Sequence, residues 1–131
     1  MSRFLRVLRF KDTGGYPYTL ISPLLYRSAR LGLVHIPTGF KTDLASIPWF
    51  VQPLFGFARV GRFDRAAVVH DYLYATQWLP RSRCDAVLLE AMLADQVSPF
   101  VAYQIWLGVR VGGWWAWRND HKFVGHFRHY R

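Results

Sequence analysis

The sequence contains very little cysteine: Cys84 is the only one among its 131 residues. An intrachain disulfide needs two cysteines and a thiolate metal cluster needs several, so neither can form within these residues. The domain can therefore fold in a reducing cytoplasm. Acidic residues are scarce as well, with eight Asp and Glu against 17 Lys and Arg and a net charge of +9. This balance indicates an anionic neighbour, either nucleic acid, an anionic membrane or cell envelope, or an acidic protein, with solubility as the alternative.

Several common catalytic motifs are missing. The five histidines occur in neither HxxxH nor HxH spacing, which argues against hydrolytic zinc chemistry. No glycine-rich phosphate loop follows a predicted strand, and there is no GxSxG elbow. Ser46 lies in the stretch LASIP, where the proline two residues later favours an N-cap or turn role over that of a nucleophile.

Only one segment resembles a membrane span, residues 98–117, in which Arg110 is the single charge. An arginine deep in a bilayer costs roughly 2.5–3.5 kcal/mol on insertion scales, so we predict a buried third helix here and no transmembrane helix. At the N-terminus, arginines interrupt the apolar residues, and we therefore expect no signal peptide.

The residues that are abundant indicate a folded domain. Hydrophobic residues make up 52% and aromatic residues 18% of the sequence, which excludes disorder and suffices for one hydrophobic core. We expect a single α+β domain over residues 1–117 and a basic, aromatic C-terminal arm over residues 118–131. The aromatic content also indicates a surface that a partner covers, as in a multi-subunit assembly.

The order of elements follows from the hydrophobic periodicity. The first 40 residues are rich in β-branched and aromatic residues around a turn at residues 12–15, which predicts a small antiparallel sheet or a pair of hairpins. After Asp64 the period becomes helical, and we predict helices over residues 64–77, 81–96 and 98–117. The fold is thus predicted to be a small N-terminal sheet packed on a three-helix unit. The inner stripe of the second helix is predicted to be Cys84, Val87, Leu88, Ala91 and Met92.

A polar pair, His70 and Asp71, interrupts the apolar run VVHDYLY. Adjacent side chains on a helix diverge by about 100°, so the two serve different neighbours. The short connection between the first two helices makes them antiparallel, which lets the faces of His70 and Asp85 meet. A carboxylate bonded to one imidazole nitrogen supports the other nitrogen as a general base. The hypothesis is His70 as base, Asp85 as its orienting group, and Asp71 with Asp43 as ligands of a divalent cation.

The alternative is that the pair of His70 and Asp85 is only a satisfied polar contact in a small core. In both cases Tyr74 is predicted to anchor its helix against the sheet, with a partner for its phenol. Arg81 lies four residues before Asp85, which predicts a helix-surface ion pair worth only about 0.2–0.5 kcal/mol.

Three motifs in order, GFKTDLASIPWF, AAVVHDYLY and RSRCDAVLLEAM, resemble an uncharacterised domain family of tailed bacteriophages and prophages. The resemblance covers residues 34–112 and includes Thr42. Two departures are visible, because Cys84 replaces an alanine and Leu88 replaces an aromatic residue; both new residues are apolar. The resemblance implies a phage context, often among structural or late genes, and supplies no activity.

A shorter resemblance concerns HDYLY followed by RxxxD on the next helix, which is similar to the paired-helix core of phospholipase A-two enzymes. It implies that His70 activates water, that Asp71 binds calcium and that Asp85 orients His70. The glycine-rich calcium loop and the disulfides of that family are missing here. A loop containing Thr42 and Asp43 is the candidate substitute for the calcium loop.

We therefore expect a phage virion protein that is associated with the tail or baseplate and carries a candidate His–Asp hydrolase site. The expected substrate is an ester of the bacterial envelope, and a divalent cation such as calcium would assist the reaction. The rival is a non-catalytic structural or adaptor protein in which the same residues are folding determinants. A third alternative is nucleic-acid binding by the basic aromatic arm. The expected location is the virion, after synthesis in the host cytoplasm, with other virion proteins as partners.

Overall fold

The computed structural model describes residues 2–5, 10–11, 18–42 and 63–120. In this part of the chain six short strands precede four helices, which confirms the predicted α+β class. Asp43, Ser46 and residues 121–131 of the predicted arm lie outside the described residues. Thr42 is described by its backbone alone.

The strands form two antiparallel sheets of three strands each, where the sequence predicted one small sheet or a pair of hairpins. One sheet has the order β1-β4-β5 and consists of β1 (Arg3–Phe4), β4 (Leu24–Ser28) and β5 (Gly32–Ile36). The other has the order β2-β3-β6 and consists of β2 (Phe10–Lys11), β3 (Tyr18–Leu20) and β6 (Lys41–Thr42). Buried residues alternate along β4, so one face of its sheet covers the core.

The first helix, α1 (Phe63–Thr76), is the central element of the core. Every residue in it except Asp64 and Arg65 is buried. Its predicted span, residues 64–77, is confirmed to within one residue at each end. The helix ends because Gln77 takes a left-handed conformation, with φ of 50°.

The second helix, α2 (Arg81–Ala94), packs along α1. Its predicted inner stripe is confirmed, since all five residues are buried, and Asp85 is buried with them. The helix is two residues shorter than predicted. Asp95 is its C-cap and donates its backbone N–H to the carbonyl of Ala91, and Gln96 has a φ of 72°.

The third helix differs from its prediction in two respects. It is divided at Gly113 into α3 (Pro99–Gly112) and α4 (Trp114–Asp120), and α4 extends across the predicted boundary of the arm. It is also not a buried helix, because α3 buries only Ala102, Ile105 and Val109. Within the described ranges, no helix has both the length and the apolar character that a membrane span requires.

Candidate functional site around Asp85

The carboxylate of Asp85 lies at the centre of the polar residues that the sequence singled out. The imidazole Nε2 of His70 lies 2.7 Å from Oδ1 of Asp85, and neither side chain has any exposed surface. Because α1 carries His70 and α2 carries Asp85, the two helix faces meet as the short connection led us to expect. The catalytic roles assigned to the two residues stay predictions.

Tyr74 is a second partner of the same carboxylate oxygen. Its hydroxyl donates a hydrogen bond of 2.6 Å to Oδ1 of Asp85. Tyr74 lies one helical turn after His70 and therefore on the same face of α1. The predicted partner of its phenol is confirmed and joins α1 to α2, and its ring packs on Trp117 of α4 with centroids 5.1 Å apart; the predicted anchoring of α1 against the sheet stays a prediction.

Two arginines face the other carboxylate oxygen. Nη1 of Arg110, from α3, donates to Oδ2 of Asp85 at 2.7 Å, and Nε of Arg81 lies 3.9 Å from the same atom. Nη2 of Arg81 also donates to the carbonyl oxygens of Val109 and Arg110, at 2.8 and 2.7 Å. The predicted ion pair between Arg81 and Asp85 is confirmed, but its predicted place on the surface is wrong. The side chain is largely buried and caps the C-terminal end of α3, where carbonyl groups lack partners within the helix.

Arg110 is the residue of this site that sequence reasoning missed. It is the single charge of residues 98–117, and a lone charge in an apolar segment that packs on a core needs a buried partner of opposite sign. That pattern was sufficient to predict an acidic partner. It did not identify Asp85, because the contact joins residues that lie 25 positions apart.

The protonation states follow from the contacts. Burial by itself raises the pKa of the Asp85 carboxyl, but the hydrogen bond and charge interaction with His70 and the hydrogen bonds from Tyr74 and Arg110 hold that pKa below its ordinary value. Burial, and then the charge of Asp85, raise the pKa of the Tyr74 phenol. Asp85 is therefore an ionised acceptor, and Tyr74 is a neutral donor.

The predicted cation ligands are only partly placed. Asp71 follows His70 on α1 and is buried. Asp43, the second predicted ligand, lies outside the described residues. Among the described side chains, no group of three or more His, Cys, Asp and Glu residues has an arrangement that would hold a metal ion. The cation site stays a prediction.

Comparison with known protein families gives one match. The model of a family described as "Protein of unknown function (DUF1353)" matches residues 18–109, from β3 to most of α3. The chain belongs to this family. The matched residues include His70, Asp71, Tyr74, Arg81 and Asp85. Searches of the curated proteins and of the solved structures found no match for the DUF1353 chain.

A partly buried carboxylate joins the sheet of the DUF1353 domain to its helices. Glu90 of α2 accepts hydrogen bonds from the hydroxyls of Tyr26 and Ser28, both on β4, at 2.6 and 2.7 Å. Nearby, Arg65 of α1 forms a two-pronged ion pair with Asp95 at the end of α2. The sequence did not reveal these contacts, because the Glu90 bonds connect residues more than 60 positions apart.

The DUF1353 domain also has a cavity of about 400 Å³ between β5 and the connection from α1 to α2. Its wall is mostly apolar and consists of Leu31, Leu33, Val34, His35, Leu73, Trp78 and Leu79. Neither His70 nor Asp85 lines this cavity, so it gives a substrate no access to the imidazole.

Proposed function

We propose that this protein is a non-catalytic structural or adaptor component of a tailed-phage particle, associated with the tail or baseplate, whose Asp85 network is a folding determinant. One observation carries the proposal. The Asp85 carboxylate has no exposed surface and accepts bonds from His70 and Tyr74 on α1 and from Arg110 on α3. Three helices therefore converge on one buried charge.

A buried carboxylate is costly unless hydrogen bonds replace its lost hydration. In this site both oxygens receive donors, and each donor occupies a fixed position on its helix. Sliding or rotating one helix by a single residue would remove a donor from the buried charge. The network therefore favours one arrangement of α1, α2 and α3 over its alternatives, which is one use of buried polar groups in proteins.

The same geometry disfavours turnover in this conformation. A general base has to reach a water molecule or substrate atom within about 3 Å, whereas His70 has no exposed surface. Asp85 also shares its negative charge between His70, Arg110 and Arg81. Less of that charge is then left to stabilise an imidazolium ion during a reaction.

The phage context rests on the resemblance of the three ordered motifs to a domain family of tailed phages and prophages. The matched family has no assigned activity and so does not favour an enzyme. Partners of this protein would be other virion proteins, and its net charge of +9 favours acidic ones. Its place in the particle would depend on those contacts.

Two substitutions at His70 test the proposal. Glutamine places an amide N–H near the position of Nε2, so H70Q keeps a donor for Asp85 and loses the base. Leucine supplies similar bulk without a donor. We expect H70Q to unfold in urea almost as the wild type does, and H70L to lose about 1–3 kcal/mol of unfolding free energy. Phage carrying H70Q should assemble and infect normally. A well-folded H70Q protein that assembles into particles without infectivity would overturn the non-catalytic assignment.

A hydrolase is the second candidate function, and the contact of 2.7 Å between His70 and Asp85 favours it. In this hypothesis Asp85 fixes the tautomer and orientation of the imidazole, and the other ring nitrogen of His70 takes a proton from water. Asp71 and Asp43 would hold a divalent cation such as calcium, which when bound stabilises developing negative charge. Access to His70 would require the surrounding chain to open.

If the protein is a hydrolase, its activity should be lost when the imidazole of His70 is removed even though the protein stays folded. Purified wild-type protein is assayed for release of fatty acid from phosphatidylglycerol micelles, with calcium and with a chelator. Activity that H70Q abolishes while keeping wild-type unfolding would establish the hydrolase. Loss of the calcium response in D71N would then assign Asp71 as a ligand. No release above that of H70Q, with or without calcium, would eliminate this candidate.

A further inference from the structure

The outer side of α3 exposes a row of large apolar side chains, which we call the α3 row. It consists of Phe100, Tyr103, Leu107 and Val111, which are 74, 54, 58 and 66% exposed. At about 100° per residue, these four positions fall within an arc of roughly 80° around the helix axis. Exposed large side chains that are grouped in this way mark an interaction surface rather than chance exposure.

The row cannot turn inward, because α3 is fixed from its other side. Ala102, Ile105 and Val109 are buried in the core, and Arg110 is bonded to Asp85. Arg81 caps the last carbonyl groups of the helix. The contacts that orient α3 therefore hold the α3 row towards solvent.

Two exposed tryptophans and one arginine follow the α3 row in the chain, on α4. Trp114 and Trp115 are half-exposed or more, and the guanidinium of Arg118 lies 5.7 Å from the ring centroid of Trp114. Between residues 96 and 119 the sequence contains Arg110 and Arg118 and no Asp or Glu, and because Arg110 is paired with Asp85, the positive charge of this surface is that of Arg118. The surface is therefore apolar, aromatic and positively charged at one end.

We propose that the α3 row, together with Trp114 and Trp115, docks onto the interface of an anionic phospholipid membrane. Tryptophan and tyrosine rings favour the boundary between headgroups and acyl chains, because one end of each ring is polar. Leucine, valine and phenylalanine beside them would enter the acyl region, as on the apolar side of an interfacial helix. The guanidinium of Arg118 would bind headgroup phosphates.

The charge of the chain favours an anionic membrane over a second copy of the chain as the partner of this surface. Each copy carries a net charge of +9, and residues 96–119 offer no acidic group to pair with Arg118 of a second copy. Asp95, which borders the stretch, is buried and already paired with Arg65. An anionic membrane supplies the missing negative charge together with an apolar layer. The inference goes beyond the proposed function and does not depend on it.

The test uses the full chain and vesicles of equal parts phosphatidylcholine and phosphatidylglycerol. Co-sedimentation is measured for the wild type, for L107S and for L33S. Leu33 is the matched control, because it is 56% exposed, close to the 58% of Leu107, and lies on the strand β5 instead of on α3. We expect L107S to weaken binding roughly tenfold, since a largely exposed leucine contributes about this much when it becomes buried. L33S should bind as the wild type does.

Three outcomes would overturn the proposal. Equal binding by wild type and L107S would assign membrane affinity to another basic part of the chain. Undiminished binding to vesicles of phosphatidylcholine alone would show that negative charge is not recognised. Absence of vesicle binding, with a dimer in analytical ultracentrifugation that L107S dissociates, would assign the α3 row to a second copy. Urea unfolding of both variants checks that each remains folded.

Discussion

The guanidinium of Arg110 donates to the carboxylate of Asp85 at 2.7 Å and thereby joins α3 to α2. This bond attaches a half-exposed helix to the same buried charge that holds His70 and Tyr74. Three side chains of α3 are fully buried and two more, Val101 and Trp106, pack partly buried against the core, so the bond to Asp85 adds a polar contact to this apolar attachment. Of the five predictions that follow, four concern this junction of helices and one concerns Gly32 at the start of β5.

Replacing Asp85 by asparagine keeps the shape of the side chain and removes its charge. The NH2 group of the new amide is a hydrogen-bond donor, and it would face other donors where Asp85 has an acceptor oxygen. We expect a loss of about 3–5 kcal/mol of unfolding free energy in urea, because Arg110 is left without its buried partner. D64N is the control, since Asp64 is an exposed acid in the first turn of α1 and is worth about 0.3–1 kcal/mol there. Similar losses in the two variants would contradict the central role of Asp85.

Stability should also depend on pH through Asp85. Its pKa is lower in the folded chain than in the unfolded chain, so at acidic pH the unfolded chain binds more protons. The stabilisation is fully present above the ordinary pKa of 3.8 and is lost as the pH falls through the lower, folded value. Thermal unfolding of the wild type and of D85N, measured between about pH 5 and about pH 2, isolates this contribution. The difference in stability between the two proteins should shrink on acidification, and a constant difference would refute the assignment.

Gly113 is required where α3 passes into α4. A Cβ atom there would lie 2.5 Å from the carbonyl oxygen of Val109 and 3.0 Å from the hydroxyl oxygen of Tyr74. We expect G113A to lose about 1–3 kcal/mol of unfolding free energy. Removing the hydroxyl in a Y74F background should not rescue it, because the closer contact is with the backbone. A full rescue would show that the phenol alone excludes a side chain.

Gly32 provides a contrast to Gly113, because an added Cβ would meet nothing within 4 Å there. Its φ of 82° is left-handed, so G32A should cost about 1–2 kcal/mol through backbone strain alone. No neighbouring substitution should relieve that cost.

The thiol of Cys84 should be inert in the folded protein. Burial, and then the charge of Asp85, raise its pKa to about 12, so almost no thiolate forms near neutral pH. We expect labelling by a thiol reagent at mildly alkaline pH to occur only through unfolding, and to accelerate in D85N as the fold loosens. The rate is followed with an aromatic disulfide, with urea-unfolded protein as the fast reference. Labelling of the native protein at the reference rate would contradict this prediction.

Local sequence patterns were sufficient for the two central helices. The spacing of apolar residues gave the bounds of α1 to within one residue and all five residues of the inner stripe of α2. The short connection between them also led to the expected meeting of His70 and Asp85. These features depend on helical periodicity and on residues close in the chain, which a sequence displays directly.

Prediction was less successful where the sequence did not show which apolar residues of a helix would be buried in the core. The apolar segment 98–117 was predicted to be a buried helix, but Phe100, Tyr103 and Leu107 are exposed. The hydrophobicity of a side chain sets the free-energy cost of exposing it to water. It does not show whether the core has space to bury that side chain. In this fold α1 fills the centre, so α3 can bury only one narrow side.

The sequence by itself determined the α+β class, the two central helices and the presence of a polar site around His70. Only the tertiary structure decided that Tyr74 and Arg110 also converge on Asp85 and that α3 keeps an apolar row outside. The physical reason is the range of the interactions involved. Helical periodicity acts over three or four residues, whereas the choice of partner for a buried charge depends on which distant side chains the packed helices bring within hydrogen-bond distance.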